Sequence, residues 1–175
     1  PANKNQEPYN YSLDMFRLPA HLKEPIVEYA DKLAGTIQEL AKQTTFTETG
    51  SVVYWKPGTS MLWHPDIRDP ETMTAEELEG IPKNASLFTR TFTAITYLND
   101  DYEGGETVVC EKTLAPWNLA KQLISKPKKG SVIIYHSACF HKVNEIKDAD
   151  RFTLAMFFCK DYEHSHWKSI GKEPQ

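Results

Sequence analysis

The chain has 175 residues, with 20 Lys and Arg against 24 Asp and Glu, so its net charge is -4 when the six His are neutral. With 40% hydrophobic and 25% charged residues it lies outside the polar, highly charged range of disordered chains, and its length suits one domain that buries a core without disulfide staples. The mild acidity argues against nucleic acid as a partner, no run of about 18 apolar residues spans a membrane, and three Cys (Cys110, Cys139, Cys159) without CxxC spacing indicate reduced thiols in a cytoplasm.

Residues 1–18 read as a polar lead-in with scattered aromatics, and residues 1–10 lack the apolar segment of a secretion signal. Over residues 19–43, Leu22, Ile26, Ala30, Leu33, Ile37, Leu40 and Ala41 recur at three- and four-residue spacing behind Pro19, which suits a first helical turn. This predicts an amphipathic helix of about six turns covering one face of a sheet. After Gly50 the texture becomes β: residues 51–55, a Pro57-Gly58 turn, then 61–64. Residues 67–86 form a charged, Pro-punctuated insert, net -3 from Asp69, Glu71, Glu76, Glu77 and Glu79 against Arg68 and Lys83. Thr74 and Glu77 have capping-box spacing there, so a short helix is expected inside a long loop of the kind that forms lids or binding edges. A Thr-rich strand over 87–98 follows, closed by Asn99-Asp100-Asp101, and Gly104-Gly105 leads into 107–110. Lys126, Lys128 and Lys129 flank Pro127 and precede Gly130, which marks a turn; residues 131–135, 140–143 and 151–159 supply three more strands. Six or seven short strands after one N-terminal helix, with no helix alternating between them, predict a mainly β jelly roll with a supporting α-helix.

The chemistry concentrates in His64-Pro65-Asp66. On a strand, residues i and i+2 share a face, so an imidazole and a carboxylate can address one ion, with a third ligand from another strand. Two His and one carboxylate leave half of an octahedral ion open, the donor set of non-haem Fe(II) oxygenases. His136 and His141 both lie where the third ligand could arise. Arg151 opens an otherwise apolar strand, where an unpaired guanidinium would be costly unless it clamps a carboxylate; Thr153, two residues on, shares its face. His164 and His166 share an HxH spacing but sit in a segment expected to be solvated, with Trp167 packing back.

Five motifs then occur in order: Tyr54-x3-Gly58-x5-His64-x-Asp66, Thr96-Tyr97-Leu98-Asn99, Gly104-Gly105-Glu106-Thr107, Pro127-x2-Gly130-Ser131, and His141-x9-Arg151-x-Thr153. As a set over residues 50–159 they resemble the 2-oxoglutarate and Fe(II)-dependent dioxygenases of the prolyl 4-hydroxylase type. The resemblance implies a double-stranded β-helix in a single domain over 1–175: lead-in 1–18, supporting helix 19–43, catalytic jelly roll 50–159 and C-terminal segment 160–175. It implies His64, Asp66 and His141 as iron ligands, the spacing to Arg151 selecting His141 over His136. By the same resemblance, Arg151 and Tyr97 hold the distal carboxylate of 2-oxoglutarate. Tyr54 and Thr153 complete the cosubstrate pocket, while Phe157, Thr107, Trp63 and Arg90 belong to the substrate side.

The cofactors so implied are Fe(II), 2-oxoglutarate and O2, with ascorbate as a further candidate, and the reaction is hydroxylation of an unactivated C-H bond. Relatives that halogenate lack the carboxylate ligand, which Asp66 supplies here. The nucleic-acid demethylase branch carries a second Arg at the position of Phe157. A peptidyl proline in a protein or peptide is the expected substrate, and a free amino acid or small metabolite the alternative. A silent jelly-roll binding module is the rival class. The insert over 67–86 would border the substrate entrance and favour basic or neutral partners.

Overall fold

A computed structural model describes residues 11–67, 71, 73–79, 88–110 and 121–173. Arg68, Asp69 and Lys83 of the acidic insert, and the side chain of Glu77, lie outside the described residues. The strands are β1 (Tyr11–Asp14), β2 (Phe46–Trp55), β3 (Met61–His64), β4 (Arg90–Tyr97), β5 (Thr107–Cys110), β6 (Gln122–Ser125), β7 (Val132–His136), β8 (His141–Val143) and β9 (Arg151–Cys159). They form a five-stranded sheet in the order β1-β2-β9-β4-β7 and a four-stranded sheet in the order β3-β8-β5-β6, all pairs antiparallel. This is the expected jelly roll.

Helix α1 (Ala20–Ala41) follows Pro19 and ends on Lys42 in the left-handed conformation. Its buried stripe is Ala30, Leu33, Ala34 and Ile37, packed on Ala94 of β4 and on Leu154, Met156 and Phe158 of β9. The expected stripe was longer: Leu22 is 49% and Leu40 77% exposed, because the helix outruns the sheet face it covers. Tyr29 adds a bond from its hydroxyl to Thr96 Oγ1, 3.1 Å, so the helix is fixed to β4 as well as to β9.

Two strands escaped sequence reasoning. β1 and β6 are four residues each, lie at sheet edges, and show no apolar–polar alternation in their burial. β2 also starts earlier than expected, at Phe46, and passes a bulge between Thr47 and Thr49. Within the acidic insert a single helical turn, α2 (Ala75–Leu78), is present as expected. At the C-terminus α3 (His166–Ser169) is pinned by Trp167, whose Nε1 donates to Asp31 of α1 at 2.9 Å. The segment was expected to be solvated, but His166 is 7% exposed and stacks on Phe16 with ring centroids 4.3 Å apart, while His164 Nε2 lies 3.8 Å from Asp161 Oδ2.

The alternation along β9 organises the interior. Leu154, Met156 and Phe158 face α1, whereas Arg151, Thr153, Ala155 and Phe157 face a cavity of about 270 Å³ between the sheets. The opposite wall comes from Met61 and His64 of β3, His141 and Val143 of β8 and Thr107 of β5.

Candidate metal centre and cosubstrate pocket

His64 and His141 are direct partners across β3 and β8, which brings their rings within 4.2 Å centroid to centroid. Strand alternation does not place Asp66: β3 ends at His64, and Asp66 sits in the bend after Pro65. Its backbone N-H donates to Ser137 O at 2.8 Å, which folds the bend back under β7. His64 Nε2 is then 3.9 Å from Asp66 Oδ1 and His141 Nε2 3.5 Å from Asp66 Oδ2, and all three ligating atoms lie within 4.8 Å of one another. Two ligands each about 2.1 Å from one ion at right angles would be separated by about 3 Å.

The backbone also fixes which ring nitrogen is available. His64 Nδ1 lies 2.7 Å from Leu62 O and His141 Nδ1 3.2 Å from Cys139 O. A carbonyl only accepts, so each Nδ1 carries the proton and each Nε2 turns its lone pair towards Asp66. Burial pushes the His141 pKa below its ordinary value, with the Asp66 carboxylate opposing that shift. The imidazole is thereby held in the neutral form that a metal requires. Tyr135 and Thr93 both donate to Asp66 Oδ2, at 3.3 and 2.8 Å. Burial, reinforced by the neighbouring carboxylate, pushes the Tyr135 phenol well above its usual range and keeps it a donor.

Arg151 lies at the other end of the cavity. It is 1% exposed, with Trp55 and Tyr97 rings 5.0 and 5.4 Å from its guanidinium carbon. Nη2 donates to Thr107 Oγ1 at 3.4 Å, while Nε and Nη1 have no partner. Burial lowers its pKa from the ordinary arginine value, opposed by the Tyr102 and Tyr97 phenols. Tyr102 carries the third orphaned buried atom among the described residues, its hydroxyl, with a pKa raised to about 12 by burial. Gly105 makes room for this corner: a Cβ there would stand 3.0 Å from Arg151 Cδ and 2.9 Å from the Tyr102 ring.

Of the expected site residues, His64, Asp66, His141, Arg151, Thr153, Thr107 and Phe157 all line the cavity. Four do not. Tyr54 pairs with Phe152, on the sheet face opposite Arg151, and its hydroxyl donates to Asp150; Trp55 is the inward residue of that strand. Tyr97 is inward, but its hydroxyl is directed to Thr107 Oγ1 and Ser125 O, 2.9 and 3.2 Å away. Trp63 is turned out of the cavity by the irregularity between Met61 and His64, and lies beneath the Lys142 ammonium. Arg90 stands behind the wall, paired with Glu48 at 3.0 Å and 3.8 Å from the Phe157 ring centre. His136 points away from the cluster: its Nδ1 accepts from Ala138 N, and its ring meets Phe92 edge-on. The inward Ser12, Ser51, Trp55, Thr93 and Tyr135 were missed, since only the register between strands reveals them.

The residues present fit the implied groups. Two Nε2 lone pairs and a carboxylate supply half an octahedral shell, and an unpaired buried guanidinium in the same cavity calls for an anion. A jelly roll with this donor set defines the class of non-haem iron oxygenases that take an acidic cosubstrate.

The sequence comparison agrees. Residues 49–159 match the model of the 2OG-Fe(II) oxygenase superfamily, and the chain belongs to that family, whose enzymes use Fe(II), 2-oxoglutarate and O2. No protein with a curated description matches the sequence. Among solved structures, a Pseudomonas putida prolyl-4-hydroxylase is 16% identical, covering 86% of this chain and 71% of its own, with a TM-score of 0.58. A viral collagen prolyl hydroxylase from Paramecium Bursaria Chlorella virus-1, in its 2OG complex, is 18% identical over 87% of this chain and 80% of its own, TM-score 0.58. A 2OG-Fe(II) oxygenase family oxidoreductase from Burkholderia pseudomallei is 16% identical over 82% of this chain, with a TM-score of 0.60. The chain spans 58% of that protein's length. At these identities the likeness concerns the fold. No described helix is long and apolar enough to cross a membrane.

Proposed function

We propose that the chain, as one domain, hydroxylates an unactivated C-H bond, with a peptidyl proline as the substrate class. His64, Asp66 and His141 would hold Fe(II), and Arg151 would take the distal carboxylate of 2-oxoglutarate. The observation that carries this reading is the pairing, across one cavity, of the His-Asp-His cluster with a guanidinium that has two unpartnered donors. When bound, the iron supplies the oxidising chemistry, converting 2-oxoglutarate and O2 to succinate and CO2.

The chain's own residues bind, orient and exclude water. Nδ1–carbonyl bonds hold both imidazoles in the tautomer that presents Nε2. Thr107 and Thr153 flank Arg151 and offer hydroxyls beside its free donors. Val53, Met61, Ile95, Val143, Ala155 and Phe157 make the rest of the wall largely apolar, with Ser12 and Ser51 as its polar members, which suits an uncharged substrate group and strengthens electrostatic contacts inside. The prolyl hydroxylases among structures of similar fold favour a prolyl substrate over a free amino acid.

The test is succinate release from 2-oxoglutarate with Fe(II) and O2, with and without proline-containing peptides, for the native chain and for His64→Ala and Asp66→Ala. The native chain is expected to release succinate and the variants to be silent. Turnover surviving in the variants overturns the ligand assignment, and a native rate unaffected by any peptide but raised by free amino acids overturns the substrate class.

A further inference from the structure

Asp66 is held from every side. Its N-H donates to Ser137 O, its own carbonyl accepts from Arg90 Nη1 at 3.4 Å, and Oδ2 accepts from Thr93 at 2.8 Å and Tyr135 at 3.3 Å. Thr93 has one hydroxyl proton and gives it to Asp66, so in the 3.0 Å contact between Thr93 Oγ1 and Ser137 Oγ the donor is Ser137. The result is a directed chain from Ser137 through Thr93 to one carboxylate oxygen, joined there by Tyr135. Thr93 and Ser137 are 0% exposed and Tyr135 8%, so water does not compete for these bonds. Oδ1 accepts no hydrogen bond among the described residues.

We infer that Thr93 and Tyr135 are positioning residues that commit Asp66 to offer a single oxygen, Oδ1, to the metal. The inference rests on the iron reading above and adds what makes it workable. A carboxylate can bind a divalent ion through one oxygen or two. With both imidazoles and one oxygen, three of six octahedral positions are filled; a second oxygen would fill a fourth and leave two. If a 2-oxo acid chelated the ion it would take two positions, and a third would stay open for O2 only while Oδ2 did not bind. Oδ2 stands 3.5 Å from His141 Nε2, so distance does not set it aside; the two donors that occupy its lone pairs would do so. They also hold the carboxylate plane while the imidazoles are held by the Leu62 and Cys139 carbonyls, so all three ligands are oriented before any ion arrives.

The test uses Co(II) alone as the probe, since its visible absorption reports ligand number and geometry without turnover. Native protein, Thr93→Val, Tyr135→Phe, the double variant and Thr93→Ser are titrated under nitrogen, with thermal unfolding of the metal-free forms run beside them. The double variant is expected to bind Co(II) about 10- to 100-fold more weakly, the usual loss when a group orienting a metal ligand is removed. Its absorption is expected to shift, with Thr93→Ser restoring the native spectrum because it keeps the hydroxyl. Native affinity and an unchanged spectrum in a folded double variant overturn the inference. Weak binding with an unchanged spectrum assigns the two residues to stability alone and also overturns it. A native chain that takes up no Co(II) overturns the iron reading itself, so the two failures are told apart.

Discussion

Arg151→Met separates what the buried guanidinium costs the fold from what it gives the site. Arg151 is 1% exposed and leaves Nε and Nη1 unpaired. An unsatisfied buried donor costs about 1–3 kcal/mol, more when charged, and replacing buried ionic groups by apolar ones of similar size is often neutral or stabilising by about 1–4 kcal/mol. Against this, methionine loses the guanidinium's place beside the Trp55 and Tyr97 rings, worth about 0.5–1 kcal/mol each. The ligand-free variant should therefore be more stable by about 1 kcal/mol, raising Tm by about 2–4 °C for a chain of this length. The gain reverses when the cosubstrate binds. Two charge-assisted hydrogen bonds of about 1.5–3 kcal/mol each amount to a loss of roughly 10²- to 10⁴-fold in 2-oxoglutarate affinity. At 100 times its Kd the cosubstrate stabilises the native chain by about 2.7 kcal/mol and leaves the variant unaffected. Thermal unfolding with Fe(II) under anaerobic conditions should show the two melting curves exchanging order on addition of 2-oxoglutarate. A variant that melts lower without ligand, or that shifts with 2-oxoglutarate as the native chain does, refutes the reasoning.

Gly104 has φ +76, and a Cβ there would collide with Glu145 O, a backbone atom that cannot swing aside. Gly104→Ala is expected to cost at least about 2 kcal/mol in urea unfolding, and a neutral result would refute that close approach. On α1, Ile37→Ala should cost about 2–5 kcal/mol, whereas Leu40→Ala should stay within about 0.5 kcal/mol; equal losses would show that the helix is seated differently. Burial holds the His166 pKa below 6.5, with Asp31 opposing, so the folded chain prefers the neutral ring and the unfolded chain binds the proton first. Stability from this group is present above pH 6.5 and declines as pH falls from there towards the lowered folded value. A His166→Gln variant should show a shallower loss of Tm between about pH 7 and pH 5, and an unchanged slope would remove His166 from that dependence.

Much of the site was legible because its chemistry is rare as a combination. A His-x-Asp alone is common, but an Arg at the start of the apolar run Phe152-Thr153-Leu154-Ala155-Met156 is hard to place in an ordinary core, and the two become a candidate site through the five motifs taken as a set. Facing was less legible, because alternation gives two faces without saying which is inward. The family resemblance places Tyr54 in the pocket, but it opposes Phe152 while its neighbour Trp55 opposes Arg151, so the one-residue alternation puts the pocket aromatic at Trp55. The resemblance assigns Trp63 to the substrate side, yet as the neighbour of the inward His64 it faces out of the cavity. Asp66 was placed in the site for an incomplete reason. The i, i+2 rule applies within a strand, yet Asp66 lies beyond the end of β3 and reaches His64 and His141 through its N-H bond to Ser137.

The tolerance of so many buried polar groups in one cavity follows from where β9 sits. It is the middle strand of the five, bonded to β2 on one side and β4 on the other, and it presents both faces to protein. Outward, Leu154, Met156 and Phe158 are at most 4% exposed against α1, and each fully buried apolar side chain contributes about 1.5–3 kcal/mol. Inward, the same strand carries Arg151 with two unmet donors, a penalty of about the size of one or two of those side chains. The helix therefore does more than cover a sheet. Its packing offsets the cost of holding a guanidinium ready, and because the residues alternate one by one, whatever fixes Met156 also fixes the height at which Ala155 and Phe157 face the cavity that His64, Asp66 and His141 line. Loss of the α1 contact should consequently weaken cosubstrate binding through β9, although no residue of that helix lines the cavity.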